Sequence, residues 1–192
     1  MPNFARQAGP EVVLDDSSES EPPEALIFGV REGKGWNKQL VLARVAADHI
    51  EQFAHWQFRT ETDWSSRFGD VAALANSMVN EFSVHRLTIG GKRRWVLVQS
   101  EPLFGTHILI RTAPNAWGPW SSPKRVYRVS GVDKSRNYFT YAAKGHTALS
   151  APGKLLVSYI INSRDFGEAV GDANIYRPRF INVSLDALNC DR

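Results

Sequence analysis

The chain has 192 residues, a formal charge of +3, 43% hydrophobic and 22% charged residues, and one cysteine, Cys190. Its mean hydropathy is −0.31, and no run approaches the roughly 18 apolar residues of a membrane helix, so a spanning segment is not expected. A lone thiol rules out an internal disulfide, and basic residues scattered along the chain, with Lys92-Arg93-Arg94 as the one run, argue against a nucleic-acid partner.

Residues 1–24 read as a disordered acidic leader. Asp15, Asp16, Glu19, Glu21 and Glu24 fall within one stretch rich in Ser and Pro, which repels itself and buries nothing. The opening residues Met1 to Gln7 lack the apolar stretch of a signal peptide. Residues 25–192 are expected to form an incomplete β-propeller domain. Leu26-Ile27-Phe28 and Leu40-Val41-Leu42 predict a hairpin across Gly33-Lys34-Gly35, with residues 55–58 as an outer strand. Residues 46–53 predict one or two helical turns. Residues 69–78 predict a helix capped by Asp70, with Val71, Leu74 and Met78 on one face. Residues 82–87, 95–98 and 107–111 then read as three strands at hairpin spacing, joined through Gly90-Gly91 and through Pro102 to Gly105, with Val126-Tyr127 as a fourth. Residues 138–142, 155–161 and 180–183 repeat that set around a long polar loop at 162–174.

These runs form a repeat. Residues 25–29, 94–98 and 155–159 align as its first strand, and 41–45, 108–112 and 180–184 as its second, about 60 to 70 residues apart. A further element, at 81–84 and 144–147, precedes the second and third copies, and the first copy begins without one. Such counts build an all-β fold of about three antiparallel, four-stranded sheets ranged round an axis, a partial five-bladed β-propeller.

Five motifs then carry a family likeness: Asn80-Glu81-Phe82-Ser83-Val84, Arg111-Thr112-Ala113-Pro114, Trp117-Gly118-Pro119-Trp120-Ser121, Tyr141-Ala142-Ala143-Lys144-Gly145-His146 and Tyr176-Arg177-Pro178-Arg179-Phe180. Over residues 25–185 the chain resembles a domain-of-unknown-function family of five-bladed β-propellers. That family is similar to the furanosidase and xylosidase propellers of glycoside hydrolase family 43, and part of it is associated with arabinofuranan-cleaving enzymes. The resemblance implies a glycosidase-like propeller that hydrolyses or binds a polysaccharide; no cofactor is expected. It also implies roughly two earlier blades, so the chain looks like the C-terminal part of such a protein. An open ring would expose sheet faces and invite self-association.

Glycoside hydrolysis uses two carboxyl groups about 5 to 10 Å apart, and Glu81 alone sits at the head of an expected inner strand, where the resemblance implies an axial glutamate. The alternative is that Glu81 pairs with Lys144 or Arg177 and ties blades together. Lys144 and His146 alternate along one strand and share a face, so His146 can meet a sugar hydroxyl and Lys144 can tune Glu81, or both can belong to a satisfied polar core. Arg177 and Asn162 flank the last strands, where a guanidinium forks to carboxylates or sugar hydroxyls or clamps a loop. Trp117 and Trp120 either stack on a sugar ring or pack a turn. The five histidines show no ligand spacing, so no metal site is expected. Asp133, Asp165 and Asp172 all fall in loops, and none qualifies as the second carboxylate. The remaining expectation is a non-catalytic sugar-binding or interaction module, or an inactive fragment.

Overall fold

The computed structural model describes residues 11–15, 23–35 and 37–188. The protein is all-β, of the partial-propeller class, with antiparallel meanders of the propeller-blade type. It divides into two compact units, residues 1–80 with 117–119, and residues 81–116 with 120–192.

The first unit holds one sheet in the order β1-β2-β3-β4-β5, with β6 beside β3. Its strands are β1 (Glu11–Asp15), β2 (Glu24–Glu32), β3 (Lys38–Ala46), β4 (Gln57–Arg59), β5 (Trp64–Ser65) and β6 (Ala75–Asn76). The predicted β2–β3 hairpin forms, with Gly29 opposite Val41 and Ile27 opposite Ala43. Because side chains alternate across a strand, Ala25 and Ile27 of β2 and Val41, Ala43 and Val45 of β3 close one core with Phe58 and Val71. The other face, with Leu26, Phe28, Leu40 and Leu42, is buried as well, which explains runs without alternation.

Three expectations change here. Part of the supposed leader is ordered: Glu11–Asp15 pairs with Glu24–Phe28 in register, while residues 16–22, most of the acidic run, lie outside the described residues, as does Cys190. Against the repeat, β1 lies at the sheet edge beside β2, in the place where the first copy was expected to lack a strand. The helix expected over 69–78 is a single 3-10 turn, Phe68–Asp70, followed by extended chain. Its amides go to the sheet instead, from Ala72 to the Arg59 carbonyl, from Leu74 to Leu40 and from Met78 to Lys38. Asp70 does not cap a helix but accepts from Arg67 and Ser65. The turns at 46–53 are 3-10, at Ala47–His49 and Phe53–His55, and the outer strand begins at Gln57.

The second unit holds two sheets. One has the order β10-β9-β8-β7, from β7 (Phe82–Ile89), β8 (Lys92–Ser100), β9 (His107–Ala113) and β10 (Lys124–Arg128). The other has the order β11-β12-β13, from β11 (Tyr138–Gly145), β12 (Lys154–Ser163) and β13 (Arg179–Ser184). Where four strands were expected in every sheet, the counts are six, four and three among the described residues. Gly90 and Gly91 both take positive φ, 57° and 76°, as a two-residue hairpin turn requires. The basic run Lys92-Arg93-Arg94 starts at that solvated tip. Val96, Val98, Ile108 and Ile110 of one sheet pack on Leu155, Val157, Tyr159 and Ile161 of the other as a single core.

Polar bonds seal the seam between these sheets. The edge strand β11 gives the amide of Thr140 to the Gly105 carbonyl at 3.0 Å, that of Ala143 to Ser100 Oγ at 3.2 Å and that of Gly145 to Ser83 Oγ at 2.8 Å. Ser83, Ser100 and Thr140 are all buried, so each needs such a partner. A bulge between Tyr141 and Lys144 shifts the ladder against β12, with Ala142 at φ 53°. A side chain in that left-handed conformation carries local strain, and only the surrounding bonds hold it there.

Two substitutions report on this seam. Ala142→Gly removes the Cβ penalty and should raise stability by about 0.5–1 kcal/mol in urea denaturation. Gly145→Ala places a Cβ 2.8 Å from His85 Nε2 and 3.3 Å from Leu155 Cδ1, and should lower stability by about 1–3 kcal/mol.

Candidate functional site

Glu81 stands immediately before β7, and its partner is neither Lys144 nor Arg177 but Tyr141. The Tyr141 hydroxyl donates to Glu81 Oε1 at 3.0 Å. The reason is register: Ser83 meets Gly145, so Glu81, two residues earlier in the chain, lies level with the start of the bulge and Lys144 is already past it. Burial, the hydrogen bond to Glu81 and the charges of Glu81 and Tyr176 push the Tyr141 phenol up to about 12. The phenol is therefore a permanent donor, and Glu81 is held as its acceptor. Tyr176, in the loop before β13, is 61% exposed and has φ 59° while its amide bonds to the Ile161 carbonyl at 2.8 Å. A bulky residue in that conformation is a strained position of the kind that clusters at binding sites. Carboxylate, phenol and exposed phenol thus converge on one place.

The other expected residues do not join Glu81. Lys144 is partly buried, and its ammonium group forms no hydrogen bond or ion pair with a described residue. His146, just past β11, has Nε2 2.7 Å from Ser158 Oγ and its ring 6.4 Å from Phe180. Asn162 accepts from the amide of its neighbour Ser163 at 2.8 Å, and Arg177 is exposed, acting on Asp172. The three loop aspartates are each engaged locally. Asp133 pairs with Arg128, Asp165 caps the helix α1 (Phe166–Gly171) through the amides of Gly167 and Glu168, and Asp172 accepts from Asn174. Among the described residues none of the three shares a bonding partner with Glu81, and no three His, Cys, Asp or Glu side chains assemble to hold a metal.

Two clusters were not foreseen. Ser83 Oγ, which accepts the Gly145 amide, lies 2.9 Å from His85 Nε2, and burial together with nearby His146 holds the His85 imidazole down at about 4. The signal was the i, i+2 spacing of Ser83 and His85 on an inner strand. Glu101, at the end of β8, takes the Thr106 amide at 3.0 Å, lies 2.9 Å from His107 Nδ1 and pairs with Arg125 at 2.8 Å. Burial works to raise that carboxyl, but these donors outweigh it and leave Glu101 at about 2. With its oxygens so occupied, Glu101 is a tie for the β8–β9 turn and β10, not a proton donor. In the Arg111 motif the guanidinium donates to the Ser121 carbonyl at 2.9 Å, and Thr112 and Ser121 exchange further bonds. These motif residues staple the approach to β10.

The partly buried imidazole sets a pH dependence. His85 titrates at about 4 in the folded protein against 6.5 when free, so between those values the unfolded chain binds more protons. Stability is therefore complete above pH 6.5 and falls as pH drops toward 4, by up to about tenfold in the folding constant per pH unit. Urea midpoints measured across that window should show this slope in the wild type. They should flatten in His85→Gln, which retains a polar partner for Ser83.

A search of curated proteins finds no match to the chain. Among solved structures it is similar to a protein of Bacteroides ovatus ATCC 8483 described as a putative hydrolase, with a TM-score of 0.65 and 17% sequence identity. The match covers 89% of this chain and 44% of the other, so the chain spans less than half of that protein's length. At this identity the likeness speaks for the fold, in keeping with the all-β sheets above. Residues 19–185 match the family described as "Domain of unknown function (DUF5005)", and the chain belongs to that family.

Proposed function

We propose that this chain is the sugar-recognising part of a glycosidase-like propeller of the kind related to glycoside hydrolase family 43, and that it binds a polysaccharide of the arabinofuranan type. The observation that carries the reading is the Glu81–Tyr141 pair beside the exposed ring of Tyr176. A carboxylate accepts from sugar hydroxyls, a phenol supplies a fixed donor, and an exposed aromatic face covers the apolar side of a sugar ring. The likeness to a larger protein described as a hydrolase supports the same direction.

Binding is favoured over hydrolysis for a specific reason. Cleavage needs a second carboxyl group within about 5 to 10 Å of the first, and Asp133, Asp165 and Asp172 are held by Arg128, by the start of α1 and by Asn174. In a longer protein, Glu81 would be the acid and another segment would supply its counterpart.

Calorimetric titration with arabinofuranan oligosaccharides tests the reading. Tyr141→Phe and Glu81→Gln should each weaken binding by about tenfold, the loss of one charge-assisted hydrogen bond. Unchanged curves for both variants would remove the assignment. Release of reducing ends by the isolated chain, abolished in Glu81→Gln, would replace binding with hydrolysis.

A further inference from the structure

The first unit carries a charged aromatic stack that the Glu81 site does not involve. Arg59 ends β4 and lies opposite Trp64 of β5. Its guanidinium carbon stands over the Trp64 ring at 5.7 Å and over the Trp117 ring at 5.3 Å, and Arg44 stacks over Trp64 at 4.3 Å. All three contacts fall within cation–π range.

The neighbouring guanidinium groups are engaged elsewhere. Arg44 donates to Gln57 Oε1 at 2.9 Å and pairs with Glu24 at 3.5 Å. Arg67 pairs with Asp70 at 2.7 Å. Arg59 differs, since among the described residues its guanidinium has no hydrogen bond and no ion pair. It is partly buried, so its charge has lost some of its water and is met only by indole faces. A guanidinium held in this way keeps its N–H edge available, in the planar fork that matches a carboxylate. Trp117 is 43% exposed, so an open indole surface lies directly beside that fork.

We propose that Arg59 and Trp117 form a second binding site, for a sugar ring that carries a carboxylate, a uronic acid residue. The carboxylate takes the Arg59 N–H edge and the ring lies on Trp117. A small inorganic anion would use Arg59 alone, and a neutral sugar would use Trp117 alone. The juxtaposition of the two is what selects an acidic sugar. The sugar part of this inference rests on the carbohydrate reading above, and the charge preference rests on Arg59.

The test uses the full chain and a galacturonic acid trimer as probe, followed by tryptophan fluorescence and calorimetry, against a neutral galactose trimer. The acidic trimer should bind at least tenfold more tightly than the neutral one, and should weaken as salt rises from about 20 to about 200 mM. Arg59→Ala and Trp117→Ala should each cost at least tenfold. Arg59→Lys, which keeps charge and loses the fork, should fall between. Equal affinity for the two trimers, or full affinity in Arg59→Ala, overturns the proposal. Should a variant lose its fold by circular dichroism, the acidic-to-neutral ratio and the salt dependence of the unmodified chain decide alone. Glu81→Gln should leave uronate binding intact, so a failure there and a failure of the Glu81 site are told apart.

Discussion

The second unit depends on how the free edge of β11 is satisfied. A sheet edge presents unpaired amides, and a buried amide without a partner costs about as much as a lost hydrogen bond or more. Among the described residues no further strand supplies the acceptors. Two serine hydroxyls of the facing sheet and one carbonyl of its β8–β9 connection do so, at Ser83, Ser100 and Gly105. The arrangement works only because the bulge at Ala142 re-aims the strand, and only because Gly145 leaves room for His85. Apolar packing of Val98 and Ile110 on Val157 and Tyr159 supplies attraction but no register. The hydroxyls supply the register.

Function follows from that register. Once Ser83 is fixed against Gly145, Glu81 is fixed against Tyr141, and a carboxylate that could have been an interblade salt bridge becomes an acceptor beside two phenols. The same fixing partly buries His85 and keeps it neutral at ordinary pH. Glu101 shows the contrasting use of a carboxylate, saturated by donors and tied to local structure. What separates the two is the number of committed donors, since a group with spare acceptor capacity can take a ligand. The Arg59 stack applies the same criterion to a cation.

Much of the fold was legible because β pairing writes itself locally. Alternating or continuous apolar runs broken by Gly90-Gly91 and Gly33-Lys34-Gly35 placed both hairpins, and seven long strands stand where the pattern put them. The failures share one cause. Residues 69–78 have helix-like spacing, yet their amides are taken by Arg59, Leu40 and Lys38, partners that are distant in sequence. Glu11–Asp15 looks like part of an acidic tail, yet β2 offers it an edge in register. For the site, Glu81 was found from its position at a strand head, whereas Tyr141 and Tyr176 sat unremarked within motifs quoted for their likeness.

Local sequence by itself determined the all-β class, the hairpins and the repeat, because strand propensity, side-chain alternation and two-residue glycine turns act over a few residues. Which polar groups meet was decided only by the tertiary structure. The partners of Glu81 and Ser83 lie 60 and 62 residues away, and those of Arg59 include an indole on a distant loop. No local preference encodes such meetings, since a side chain's partner is set by sheet packing and by a bulge of one or two residues. The chemistry of this protein resides in those meetings.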